Sequence, residues 1–299
     1  LTSLIKEPLS LFLLTLDERI DLYADVLGVT GKPSSAERER AAELKRVVFE
    51  GIRAAIEQGL PKPSVAIWAD GDLGESVLLR AKAMSIATSA SPGNGMKTLS
   101  HLFVDYIGIQ LGFNPDSSHD TRKQLLKQLK ILSDGTRKES IQLIVELDSS
   151  PTATQIESFG NPMKARANLL VKAIQQLQDA GVDPAIWAFN PEGIESFVAT
   201  LAAQGHIDGR QSKVLLYTSG DFSTNNVNGL TADEKRITRL AARTHGVDGL
   251  LIGPGAYYRD LVNYNADNNQ RDEAILSIAN HLIDTSKLFE QSRAASPVL

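Results

Sequence analysis

Short apolar runs of strand length alternate with longer stretches of helical period along this chain, and eight such runs can be counted. They span Leu11 to Asp17, Val65 to Asp70, Ala83 to Ala90, Tyr106 to Asn114, Ile141 to Asp148, Ala185 to Asn190, Lys213 to Gly220 and Gly249 to Gly255. Most are apolar at consecutive positions, as expected of parallel strands covered on both faces. Helices are predicted over Ala36 to Gln58, Ser118 to Asp134, Pro162 to Ala180, Pro191 to Gln204, Thr231 to His245 and Gln270 to Phe289, and Thr231 with Glu234 reads as a capping box. Eight strand-helix pairs predict a (β/α)8 TIM barrel, with an open doubly wound sheet of fewer strands as the alternative.

No linker rich in Gly, Pro or Ser divides the chain and no internal repeat recurs, so residues 1–299 are expected to form a single domain. Gly28 to Ser35 and Ser89 to Lys97 read as loops on the barrel. With 42% hydrophobic residues the chain can bury a full core. Acidic residues outnumber basic ones, 36 to 31, and no Lys/Arg block is clustered as a phosphate backbone would require, so nucleic acid is not expected as a partner. There is no cysteine, which excludes disulfides and thiolate chemistry and fits a reducing cytoplasm. The run Leu9 to Leu16 is too short to span a bilayer, so no membrane association is expected. A homo-oligomer is compatible with all of this.

In a barrel the chemistry sits at the C-terminal strand ends. Here those ends are acidic: Asp17 and Arg19 after the first strand, Asp70 and Asp72 after the second, Glu146 and Asp148 in the fifth, Asn190 closing the sixth. Carboxylates gathered in a partly dry pocket rise in pKa, which suits acid/base work or an oxygen-ligand divalent metal. Asp and Asn after a strand also serve as helix caps, which is the alternative for each of these positions. Glu146 stands out because it interrupts the apolar run Leu143 to Leu147, where an unpaired carboxylate would be costly. Ser219 and Gly220 after strand seven, and Gly253 and Gly255 after strand eight, are small enough for backbone N–H groups to approach a phosphate, although Pro254 supplies no donor. Trp68 and Trp187 are candidates for stacking on a sugar or for the core.

Several segments in order resemble the class I aldolase group that contains the tagatose-bisphosphate aldolases, and especially the aldolase-like domain fused to the sugar kinase of bacterial inositol catabolism. They are Leu14 to Arg19, Asp72 to Ala83, Phe113 to Asp116, Thr121 to Leu129, Ile144 to Leu147 with Pro151 and Thr152, Ala173 to Trp187, and Gly249 to Gly253. The resemblance implies a barrel that breaks or forms a carbon-carbon bond beside a ketone, on a small carbohydrate or sugar phosphate and with no cofactor. In such enzymes a lysine condenses with the carbonyl to an iminium and a carboxylate moves the proton. Asp17 and Glu146 match the family's carboxylates.

Other matches fail. After Trp187 the family's lysine position holds Ala188, the strand-four segment Gly108 to Gly112 has no lysine, and the phosphate-binding Gly-Arg of strand eight is Gly253-Pro254. Three readings follow. Another lysine serves, Lys97 being the candidate because its loop follows strand three at the catalytic face. Alternatively Asp17, Asp70, Asp72, Glu146 and Asp148 act as base and ligands in metal-assisted or enediol chemistry. In the third reading the barrel binds a sugar or sugar phosphate without turnover.

Overall fold

A computed structural model describes residues 10–92, 102–218 and 229–295. Eight parallel strands close in sequence order into one barrel, with β8 returning to β1. They are β1 (Leu11–Leu16), β2 (Val65–Ala69), β3 (Ala87–Ala90), β4 (Tyr106–Gly112), β5 (Gln142–Asp148), β6 (Ile186–Phe189), β7 (Lys213–Thr218) and β8 (Gly249–Ile252). All eight lie within the runs expected to hold them. Every residue of β2, β6 and β8 is buried, because helices cover one face and the barrel interior the other.

The helices are α1 (Ser35–Glu57), α2 (Glu75–Ala83), α3 (His119–Lys138), α4 (Ala153–Phe159), α5 (Pro162–Asp179), α6 (Val198–Gly205), α7 (Ala232–Arg243), α8 (Tyr258–Ala266) and α9 (Arg271–Ala294). Their starts follow local chemistry. Ser34 and Glu37 form a capping box at α1, Asn161 caps α5 ahead of Pro162, and Thr231 with Glu234 caps α7 as the sequence indicated.

Three local expectations change. The apolar run from Ala83 predicts strand, yet Ala83 ends α2 and β3 begins only at Ala87. The reason is the spacing of Val77, Leu78 and Ala81, which bury one face of a helix built from good helix formers. The helix expected from Pro191 begins instead at Val198, behind a loop in which Gly193 adopts φ +72° and a 3-10 turn over Glu195–Phe197. Helices α4 and α8, and a π-helical turn over Leu22–Val26, lie in segments read as connections.

Two layers of apolar side chains result. Leu13, Ala66, Trp68, Ile144, Ile186, Ala188, Leu215 and Leu251 fill the barrel, and a larger set packs strands against helices. Alternation along each strand makes this division. At the closing seam a side chain on Gly249 would stand 1.9 Å from the Leu11 carbonyl oxygen, so only glycine admits β1 there. Helix α9 completes the outer ring by packing on α1, and Phe289 meets Phe12 of β1 edge-on with ring centroids 5.5 Å apart.

Candidate functional site

At the C-terminal mouth of the barrel β1 delivers Asp17 and, two residues on, Arg19. Arg19 Nη1 bonds Asp17 Oδ2 at 2.8 Å, and Nη2 reaches across the barrel to Glu146 Oε2 on β5. The Arg19 backbone N–H adds a 3.3 Å bond to Asp17 Oδ1. With the Gln110 amide oxygen facing the guanidinium, Gln110 on β4 accepts from Arg19 at 3.1 to 3.2 Å, and its side chain also hydrogen-bonds Glu146. The guanidinium lies between two rings, 4.9 Å from Trp68 and 5.3 Å from Tyr217. Its side chain is only 6% exposed, so this is a desolvated charge network.

Such a network is tolerated inside a barrel because every charge has partners. Burial pushes the Asp17 carboxyl above the usual range, and the Arg19 charge opposes that rise. Burial likewise raises Glu146, again against Arg19, with the neighbouring Asp17 adding to the rise. Burial pushes the Tyr217 phenol up to about 12, so it is a neutral hydroxyl in this setting. That hydroxyl lies against Gly253, where a Cβ would stand 2.7 Å from it.

Ala188 is fully buried in the same layer. It is the register partner of Glu146 on one side and of Leu215 on the other. The position next to the acid therefore holds a methyl group, and the cation that reaches the acid comes from β1.

The remaining expected residues are placed elsewhere. Asp70 Oδ1 accepts from the backbone N–H groups of Asp72, Leu73 and Gly74 at 3.0, 2.7 and 3.3 Å, and Oδ2 pairs with Lys45 of α1. Asp70 thus fixes the turn between β2 and α2. Asp72 is exposed. Asp148 is half exposed and pairs with Arg166 at 2.9 Å. Asn190 orders its own turn, its Oδ1 accepting from the Glu192 N–H at 3.0 Å. The five carboxylates grouped as base and metal ligands therefore divide, with Asp17 and Glu146 at the mouth and the other three outside it. Among the described residues no group of three or more His, Cys, Asp or Glu is arranged to hold a metal.

At strand eight the Gly253 N–H is used by the Thr218 carbonyl at 2.9 Å, so it is not available to a phosphate. Gly255 lies in a 3-10 turn over Pro254–Ala256. Lys97, Ser219 and Gly220 lie outside the described residues. No helix among the described residues is long and apolar enough to cross a membrane.

Four members of the site were not singled out from sequence. Gln110 and Tyr217 carry no motif; their signal is parity, since each falls in register with an inward position on a neighbouring strand. Lys45 on α1 and Tyr257 after β8, which hydrogen-bond the Leu16 and Thr15 carbonyls just ahead of Asp17, carry no local signal. Trp68 belongs to the site as a wall on Arg19, whereas Trp187 stacks on Phe189 at 6.4 Å in the outer core.

Fold and site together define a (β/α)8 barrel with a buried carboxylate-arginine-carboxylate mouth. No family model matches the chain, and no curated protein sequence matches it. Among solved structures it is similar to a fructose-bisphosphate aldolase from Slackia heliotrinireducens DSM 20476, with a TM-score of 0.52 and 12% identity, covering 97% of this chain and 88% of that one. At that identity the likeness is one of fold alone, a closed (β/α)8 barrel.

Proposed function

We propose that residues 1–299 form one aldolase-like domain acting on a small hydroxy-ketone carbohydrate, free or phosphorylated, by proton transfer and without an imine at position 188. The observation that carries this reading is the Asp17–Arg19–Glu146 bridge beside Ala188. Alanine has no amine to condense with a ketone, while two carboxyls raised by burial are suited to hold and release a proton. The Arg19 guanidinium, bridging the two carboxyls, supplies a cation where an enolate oxygen develops. In aldol cleavage one carboxylate takes the proton of the hydroxyl β to the ketone. The bond between the α and β carbons breaks, its electron pair moves onto the ketone as an enolate, and an acid returns a proton to the α carbon. The sequence resemblance to the tagatose-bisphosphate group and to the inositol-catabolism domain supports a sugar phosphate as the ligand within this reading.

Solvent deuterium incorporation at the α carbon, followed over a panel of ketoses and ketose phosphates, tests it. Exchange that disappears in Glu146→Gln, with no borohydride-trapped lysine adduct in the wild type, is expected. A trapped adduct, on Lys97 for example, would return the chemistry to an imine. A second reading, binding without turnover, is favoured by one observation: Asp17, Glu146 and Gln110 already occupy the Arg19 guanidinium. Ligand-dependent thermal stabilisation with no exchange would identify that case.

A further inference from the structure

Beside Asp17 lies a cavity of about 10 Å³. Its polar lining is Asp17, Lys45 and Tyr257, and apolar side chains including Ile20, Leu22 and Leu261 complete the lining. The volume is that of roughly one water.

The hydrogen-bond capacities around it are complementary. An ammonium has three N–H donors. Lys45 Nζ gives one to the Leu16 carbonyl at 2.7 Å and one to Asp70, leaving one. Tyr257 spends its only O–H on the Thr15 carbonyl at 2.8 Å, so its oxygen can still accept. Asp17 takes two bonds from Arg19, and a carboxylate offers about four acceptor positions. A single water would accept from Lys45 and donate to Asp17 and Tyr257, which are the three partners typical of a buried water. The same two side chains also hold the carbonyls of the two residues that precede Asp17.

We propose that this cavity is a built site for one water bridging Asp17, Lys45 and Tyr257, and that Lys45 is a positioning residue that orients Asp17 through it. The inference deepens the functional reading above, since it concerns the acid of that site. Lys45 is itself 5% exposed and lies on α1, so no substrate reaches it. The charged or titratable groups facing Asp17 are Arg19, Lys45, Asp70, Glu146, Tyr217 and Tyr257.

The test needs no substrate. A crystal structure that shows ordered waters is expected to place one within hydrogen-bond distance of all three side chains, and a cavity without density overturns the water site. In the doubly neutral variant Lys45→Met with Asp70→Asn, the carboxyl carbon resonance of Asp17 is expected to titrate at higher pH than in the wild type, because a cation and a bridging donor are gone. An unchanged titration in a folded variant overturns the positioning role. Should that variant not fold, Tyr257→Phe removes the hydroxyl that bonds the Thr15 carbonyl and would accept from the water, without altering charge. It is expected to lose the water and shift the Arg19 amide resonance, and retention of both overturns the proposal. Failure here alongside carbohydrate-dependent exchange removes the water site and the role of Lys45 and leaves the functional reading standing. A confirmed water with no exchange removes only the functional reading.

Discussion

Glu146 on β5 and Ala188 on β6 are register partners in adjacent parallel strands, and both side chains point into the barrel. The ion pair that Glu146 makes is with Arg19, which arrives from the far side after β1. An acid of the mouth has therefore kept a cation while its neighbour on β6 carries only a methyl.

That geometry makes Ala188→Lys a direct experiment. A lysine there would start beside Glu146, so borohydride treatment with a ketose phosphate is expected to give a mass adduct on residue 188 that the wild type lacks. Ala188 is fully buried, so overpacking should cost about 1–3 kcal/mol, read as a lower Tm. A folded variant that gives no adduct would show that the mouth does not admit a ketone at this strand.

The pH dependence of stability follows from the raised carboxyls. Glu146 binds its proton more tightly in the folded chain than in the unfolded one, because burial raises it. Its contribution is then fully present below the ordinary glutamate range and is lost as pH rises through the higher folded value. Relative to wild type, Glu146→Gln is expected to gain stability as pH rises through that interval. Thermal unfolding followed across pH checks the sign, and a difference that falls with pH would refute it.

Arg19→Met should be among the most damaging single changes in the mouth. It leaves two buried carboxylates without their cation, a loss of about 3–5 kcal/mol. Adding Asp17→Asn and Glu146→Gln removes the uncompensated charges and should recover most of that loss. Denaturant unfolding of the single and triple variants decides between a charge network and an incidental contact, since equal stabilities would contradict the network.

Gly108→Ala probes the wall on the other side of Arg19. A Cβ at Gly108 would stand 2.2 Å from Trp68 Cε2, and the indole is already held by a 3.0 Å bond from Nε1 to Ser91 Oγ. The expected cost is about 1–3 kcal/mol, together with a shift in the emission of one of the chain's two tryptophans. An unaltered spectrum and Tm would mean that Trp68 is free to move.

The barrel was legible because fully buried parallel strands read as consecutive apolar runs, and eight of them survive in order. The error at Ala83 came from an apolar stretch too short for period to decide between helix end and strand. The site was legible in part. Glu146 declared itself by interrupting an apolar strand, and Asp17 and Arg19 by closing one. Asp70 looked equivalent to them, and the structure spends it on three backbone N–H groups and Lys45. Gln110, Tyr217, Lys45 and Tyr257 enter through contacts between segments far apart in the chain, which no local pattern records.

By itself the sequence determined the order of the eight strands, the acidic character of the strand ends and the absence of an amine at position 188, since each of these depends on residue type and local spacing. Only the tertiary structure decided which charges meet. Strand register and barrel closure bring Arg19 to Glu146 and turn Asp70 outward to α1, and pairing across a closed barrel is a property of three-dimensional register.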